Sequence, residues 1–305
     1  MLFIQAVQEC KMIISTIDVT SPTTAYIFGE GDKPLEEVYN KASIFGNVSI
    51  VDILGAKQQG SNIETVMGLR ARAGISTRIS GGVPERQADI LSWYRVGELA
   101  KSTCMVAVDC MLDGTVTKIG QQVMCDIPAQ TVFEKFKNRH IFLTLVDGQG
   151  NKVPFSVLDK WIKSYDFKKL TIAGGVHSVE DVIKLDDLGI DCHVGAAIWR
   201  DEITPKNYLQ KAMKPDLIPM CVQNKMGTVL GILYTNRDTL GLMAETRKLV
   251  AFSRSRNKVW IKDEKKGGVD VLSIRHNCNR DSLLVVVEDG KDDWCHLGRS
   301  SCFSI

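Results

Sequence analysis

Short apolar runs alternate with helix-period stretches along the first two-thirds of the chain. Runs at Met12–Asp18, Val48–Ile53, Ser76–Ser80, Met105–Asp109, Ile141–Val146, Leu170–Ala173 and Cys192–Val194 read as buried strands. Helical patterns follow most of them, among them Pro34–Phe45, Pro84–Trp93 and Val179–Leu188. This alternation argues an α/β class with parallel strands. The strand ends recur at near-constant intervals: 28 residues from Asp52 to Ser80, 29 from Ser80 to Asp109 and 29 from Thr144 to Ala173. Repeated βα units of this size build a TIM-type (β/α) barrel. Lys206–Met213 reads as a last helix, ended by Lys214–Pro215. Beyond it the pattern changes. Asp216–Gln223 and Thr228–Tyr234 form a hairpin around Asn224–Gly227, and Asn236 caps a helix that runs to about Arg247. Strands follow at Leu249–Ser253, Val259–Lys262, Val269–Arg275 and Ser282–Glu288. The expectation is two domains: a barrel over residues 1–213 and a small α+β domain over 214–305.

Composition narrows the class without naming a function. A chain of 305 residues has room for a barrel and a small second core. Hydrophobic content of 44% and charged content of 24% are those of a globular protein in water. A net charge of +2 gives no case for nucleic acid. The opening Met1–Val7 turns polar too soon for a membrane span, so no membrane partner is expected. Nine cysteines, an odd number, with no signal peptide, indicate a reducing cytoplasm and thiols used for metal or burial.

Two groups of residues carry candidate chemistry. In the first domain Asp18, Asp52, Gly81, Gly82, Asp109, Thr144, Gly174, Gly175, Gly195 and Ala196 all fall at strand ends, which line one mouth of a barrel. Glycines there either permit tight turns or bare backbone N–H groups for a phosphate. Two such sites on the last two strands of a barrel-type chain favour phosphate. In the second domain Cys278, Cys295 and Cys302 are spaced C-x16-C-x6-C, with His296 beside the second. Three thiolates suit zinc and leave a coordination position open, the catalytic arrangement. The spacing lacks paired C-x2-C knuckles, however, and by itself fits ordinary buried thiols better than zinc.

The residues around those cysteines change the balance. Ala251–Arg256, Trp260–Lys262, Glu264, the box Asn277–Asp281 and the stretch Cys295–Phe303 closely resemble the phosphoribosyl-AMP cyclohydrolase family of histidine biosynthesis, from about Leu217 to the C-terminus. The resemblance implies hydrolytic opening of the adenine ring between N1 and C6. It implies zinc on Cys278, Cys295 and Cys302, proton transfer by His296, and Arg254, Arg256, Lys262 and Glu264 as substrate contacts. It also implies an obligate homodimer with zinc sites built across the interface. The family carries aspartates and binds magnesium where this chain has Asn277, Asn279 and Asp281, so weak or absent magnesium binding is expected.

A second resemblance covers about residues 12–210. Val51–Lys57, Asn62, Ser80–Val83, Thr144, Ala173–Val176, Asp181 and Val194–Ala196 look like the aldose–ketose isomerase of the same pathway, a (β/α)8 barrel acting on ProFAR, the ring-opened product. The resemblance places an acid–base pair at Asp18 and Asp109, since an Amadori rearrangement needs one group to open the ribose and another to take a proton. One βα unit, the fourth, is expected to be missing, with Arg95–Cys104 as its only candidate remnant. Ala25–Tyr26, Pro84 and Gly120 stand where substrate-gripping side chains are expected. The joint reading is a bifunctional enzyme with phosphoribosyl-AMP and ProFAR as substrates. The alternatives are a cyclohydrolase on a non-catalytic barrel, or a non-catalytic protein that binds a phosphoribosyl nucleotide.

Overall fold

Nine residues from Ile13 to Ser21 alternate Ile14, Thr16 and Asp18 with Ile13, Ser15, Ile17 and Val19, and this strand, β1, lies at the middle of the main sheet. The computed structural model describes residues 13–73, 76–97, 100, 103–288 and 294–303. Met12, the expected start of the first strand, lies outside them. The chain divides into two units, Ile13–Tyr208 and a second beginning at Leu209.

In the first unit β1 is followed by β2 (Asn47–Asp52), β3 (Ser76–Gly81), β4 (Ile90–Ser92), β5 (Met105–Cys110), β6 (His140–Leu145), β7 (Lys169–Ala173) and β8 (Asp191–Val194). All eight pair in parallel in the lateral order β3-β2-β1-β8-β7-β6-β5-β4. That is chain order, read around a ring and cut between β3 and β4. Among the described residues no ladder joins those two strands. They meet through one backbone bond, Asp89 N to Ile79 O at 3.0 Å, so the sheet does not close as a barrel. Side chains do cross its inside. Arg78 of β3 reaches Asp191 of β8 at 3.0 Å, and its other nitrogen reaches His193 at 3.3 Å.

Two expectations are corrected here. The fourth unit is not missing as a strand: β4 is present and pairs with β5. What is missing is helix. The stretch from Pro84 to Trp93 forms one turn, with Gln87 N and Ala88 N bonded to Pro84 O, and then enters the sheet. Only eight residues separate β3 from β4, too few to cross over the sheet as a helix and return. Ile90 and Leu91 are buried as strand residues, and Asp89 is fixed to Ile79 from both its backbone and its carboxylate. Among its described residues, the 29-residue interval from Ser80 to Asp109 therefore holds two strands and no α-helix. Of the supposed remnant Arg95–Cys104, residues 98, 99, 101 and 102 lie outside the described residues.

Elsewhere helices follow the strands as the pattern requires. Helix α1 (Leu35–Ser43) buries Leu35, Val38, Tyr39 and Ala42, one stripe at helical spacing, and carries Glu36 and Glu37 in its first turn, where the dipole favours them. Helix α2 (Val179–Asp187) is capped by Ser178, whose hydroxyl accepts from Asp181 N at 3.1 Å.

The second unit holds β9 (Leu217–Asn224), β10 (Val229–Asn236), α3 (Arg237–Thr246), β11 (Val250–Ser253), β12 (Lys258–Ile261), β13 (Val271–His276) and β14 (Leu283–Val287). Four strands form a sheet in the order β10-β9-β14-β13, with β9 and β14 parallel, and β11–β12 form a separate ribbon. Its apolar strand faces, including Met220, Val222, Ile274 and Val285, are buried, as are Leu240 and Met243 of the helix. Asn236 caps α3 in a reciprocal box: its side chain accepts from Thr239 N at 2.9 Å and Thr239 Oγ1 accepts from Asn236 N at 2.8 Å. The helix stops at Arg247, which takes a left-handed φ of 54°. Among the described residues no helix is long and apolar enough to cross a membrane.

Candidate functional site

Two of the three predicted zinc cysteines come together at the edge of the second unit. Beyond β14, residues Ser301 and Cys302 return beside the start of β10. Cys302 N donates to Leu230 O at 2.9 Å and Ser301 Oγ to Val229 O at 2.8 Å. Cys295 begins a tight turn closed by Cys295 N to Arg299 O and Gly298 N to Cys295 O, both at 2.8 Å. That turn brings the Cys295 thiol into hydrogen-bond contact with Cys302. Burial pushes the Cys302 thiol up, the neighbouring Cys295 adds to this, and the Lys262 charge pulls it back. His296 is exposed, with Nδ1 3.8 Å from Cys295 Sγ. Gly231 of β10 makes room, because a Cβ there would lie 3.3 Å from Cys302 Sγ.

Cys278 is elsewhere. It is exposed, in the turn after β13, and among the described residues no three His, Cys, Asp or Glu side chains gather as a metal set. Its turn is closed by Asn277. The amide oxygen of Asn277 accepts from Asp281 N at 3.0 Å and Ser282 N at 3.2 Å, and its nitrogen donates to Asp281 Oδ1 at 2.6 Å. The one carboxylate of the box is thus already engaged by a neutral amide. Beside it His276, buried at the end of β13, donates from Nδ1 to Asn277 O at 2.8 Å, and burial lowers its pKa to about 4. The sequence reading did not single out His276.

The predicted substrate contacts all fall between β11 and β13. Arg254 is exposed and stacks its guanidinium 3.7 Å over the Tyr234 ring. Arg256 donates to Ser253 Oγ at 3.2 Å. Lys262 is half-buried beside Asp263, and Glu264 is exposed in a single 3-10 turn.

In the first unit a solvent-open cleft of about 600 Å³ lies at the ends of β1, β6, β7 and β8. It joins five of the predicted residues: Asp18, Gly174, Gly175, Gly195 and Ala196. Burial raises the Asp18 pKa to about 7 against a lowering pull from Lys57. Gly174 and Gly175 have φ of 82° and 83°, and a Cβ on Gly174 would sit 2.3 Å from Leu145 O. Only glycine fits there. Asp109 and Thr144 do not line the cleft. They pair across β5 and β6, and burial raises the Asp109 pKa while its bond from Thr144 lowers it. Gly81 and Gly82 also lie outside it. They pack on the loop after β2, where a Cβ on Gly82 would sit 2.4 Å from Gly55 Cα, and Gly82 N donates to Asp52 O at 3.3 Å. Fully buried Asp52 holds that loop, accepting from Gly55 N and Asn62 N at 3.0 and 2.8 Å. Gly120, which stands where a substrate-gripping side chain is expected, lies against Lys57, whose Cγ would be 2.9 Å from a Cβ.

Three cleft residues carried no sequence signal. Arg200 donates to Gly150 O, Phe28 O and Glu30 Oε1 at 2.9, 3.1 and 2.9 Å, clasping two loops over the cleft. His177 donates from Nδ1 to Gly175 O at 2.8 Å. His193 accepts on Nε2 from Arg78, which can only donate.

Residues 232–304 match the family model described as phosphoribosyl-AMP cyclohydrolase. Proteins of that name are similar to part of this chain. The one from Pseudomonas fluorescens (strain Pf0-1) is 38% identical over 107 residues, 34% of this chain and 75% of the relative. That from Methylobacillus flagellatus is 44% identical over 93 residues, 29% and 71%. That from Citrifermentans bemidjiense is 37% identical over 91 residues, 29% and 73%.

Proposed function

Because this chain belongs to the phosphoribosyl-AMP cyclohydrolase family through its C-terminal third, we propose that it opens the adenine ring of phosphoribosyl-AMP by hydrolysis, a step of histidine biosynthesis. The observation that carries the reading is the pair of adjacent thiols, Cys295 and Cys302, with an exposed imidazole beside them. Two soft donors in contact fit zinc, and the third, Cys278, comes from a second copy of the chain, since it stands apart within one copy. Zinc, when bound there, makes a water nucleophilic near neutral pH. As a water oxygen adds to C6, His296 would carry that water's proton to N1, and the N1–C6 bond breaks. Arg254, stacked on Tyr234, and Lys262 present fixed positive charge to the nucleotide phosphates. The Asn277–Asp281 contact leaves the box a poor magnesium site.

A second activity rests on Asp18. A carboxyl with a pKa near neutrality, in one cleft with two glycine turns, suits a proton-transferring group beside a phosphate. We assign the first unit an aldose–ketose isomerisation of ProFAR, with Asp18 as its proton-transferring group; Asp109, the expected second member of the pair, lies outside the cleft. Feeding zinc-loaded protein phosphoribosyl-AMP and separating the products by chromatography tests both activities. Ketose supports both, and aldose alone reduces the first unit to a scaffold. Unchanged substrate, or a folded protein that takes up no zinc, removes the cyclohydrolase reading.

A further inference from the structure

Trp294 immediately precedes Cys295 and is only 5% exposed. Its indole Nε1 and the Cys302 sulfur share the space above Gly231, where a Cβ would lie 3.5 Å from the nitrogen and 3.3 Å from the sulfur. The ring is therefore fixed beside the thiol pair. Its face carries a cation: Lys262 Nζ lies 5.0 Å from the ring centroid, and Asp263 Oδ1 holds the same ammonium at 3.4 Å. The Lys262 side chain is 15% exposed, so the charge is largely withdrawn from water and is held by an aromatic face and one carboxylate.

A partly buried ammonium is costly unless negative charge faces it. Three thiolates about a divalent ion leave one net negative charge at a half-buried edge. Lys262 supplies the matching positive one. We propose that Trp294 is a positioning residue that seats Lys262 as the counter-cation of the metal-binding thiolates, so that Lys262 strengthens metal binding without touching the metal. This rests on the zinc reading of Cys295 and Cys302. It gives Lys262 a role separate from contact with the nucleotide.

The test is a zinc competition between a chromophoric chelator and the full chain, as wild type, Lys262→Met, Trp294→Leu and Trp294→Phe. Lys262→Met and Trp294→Leu each weaken zinc binding by about 10-fold or more, the usual effect of removing a group that supports metal ligands. Trp294→Phe keeps an aromatic face and stays within about 3-fold of wild type. Cobalt(II) loaded in place of zinc gives the same thiolate absorption bands in every variant that folds, since no ligand has changed. Lys262→Met that binds zinc as tightly as wild type overturns the proposal. So does Trp294→Phe falling as far as Trp294→Leu, which reduces the indole to packing. A wild type that takes up no zinc overturns the functional reading and this inference with it, whereas equal affinity of wild type and Lys262→Met overturns this inference alone.

Discussion

Replacing Asp18 by asparagine makes the protein more resistant to urea, and increasingly so as pH rises. The carboxyl has its pKa raised from 3.8 to about 7, with burial as the cause. The folded state thus binds the Asp18 proton more tightly than the unfolded chain does. Below pH 3.8 both states are protonated and nothing is lost. As pH climbs from there to about 7, the unfolded chain releases the proton while the folded one keeps it, and stability falls. Above about 7 the loss is complete. At about 1.4 kcal/mol per pH unit the full loss is about 4 kcal/mol, an upper figure because the cleft leaves Asp18 partly open to water. The amide does not titrate. The advantage of Asp18→Asn therefore grows by about 1–2 kcal/mol between about pH 5.5 and about pH 8.5. Comparing two pH values cancels whatever the amide gains or loses by its own hydrogen bonds. Urea unfolding of the zinc-loaded full chain, followed by tryptophan fluorescence at both pH values, reads the difference. An advantage that does not change with pH refutes a perturbed Asp18, and with it the argument for Asp18 as a proton-transferring group.

Three further outcomes follow from contacts described above. Gly174→Ala drives a Cβ to 2.3 Å from Leu145 O at a φ of 82° and lowers stability by more than about 2 kcal/mol in the same urea assay. Arg78→Met removes one partner of Asp191, in a pair whose side chains are 8% and 13% exposed. It costs about 3 kcal/mol, part of which returns on adding Asp191→Asn. Asn236→Ala removes one half of the α3 capping box and costs about 1 kcal/mol, visible as an earlier thermal transition.

The sequence marks elements well where a single physical signal dominates. Seven of the eight parallel strands fall on the short runs picked out from the sequence, and the Asn236 cap stands before a helical stripe. It fails at β4, where three residues of strand follow a segment, Pro84–Ala88, that also fits a helical period. What turns Ile90–Ser92 into strand is pairing with Met105–Ala107, a partner far along the chain. The site shows the same division. Gly174–Gly175 and Cys295–Cys302 are local patterns, and the fold brings each pair together. Gly81–Gly82 has the look of the other glycine pair, yet it packs against the Gly55 backbone, a contact that no spacing encodes. Arg200 acts through tertiary contacts with Phe28 and Gly150, and Trp294, though it adjoins Cys295, through one with Lys262; neither contact is encoded by spacing.

The unladdered seam between β3 and β4 has a bearing on how the protein keeps to itself in a crowded solution. A sheet that does not close has two margins, and a bare margin invites strands from other molecules. Here the margin groups are already engaged from within. Ile79 N donates to the Asp89 carboxylate at 3.0 Å, and Arg95 donates to the carbonyls of Gly81 and Val83. Pro84, next along, has no N–H to offer. An Asp89→Ala, Arg95→Ala protein would reopen those groups and become prone to self-association through its seam. The short detour that stands in place of a helix thus carries its own side-chain plugs.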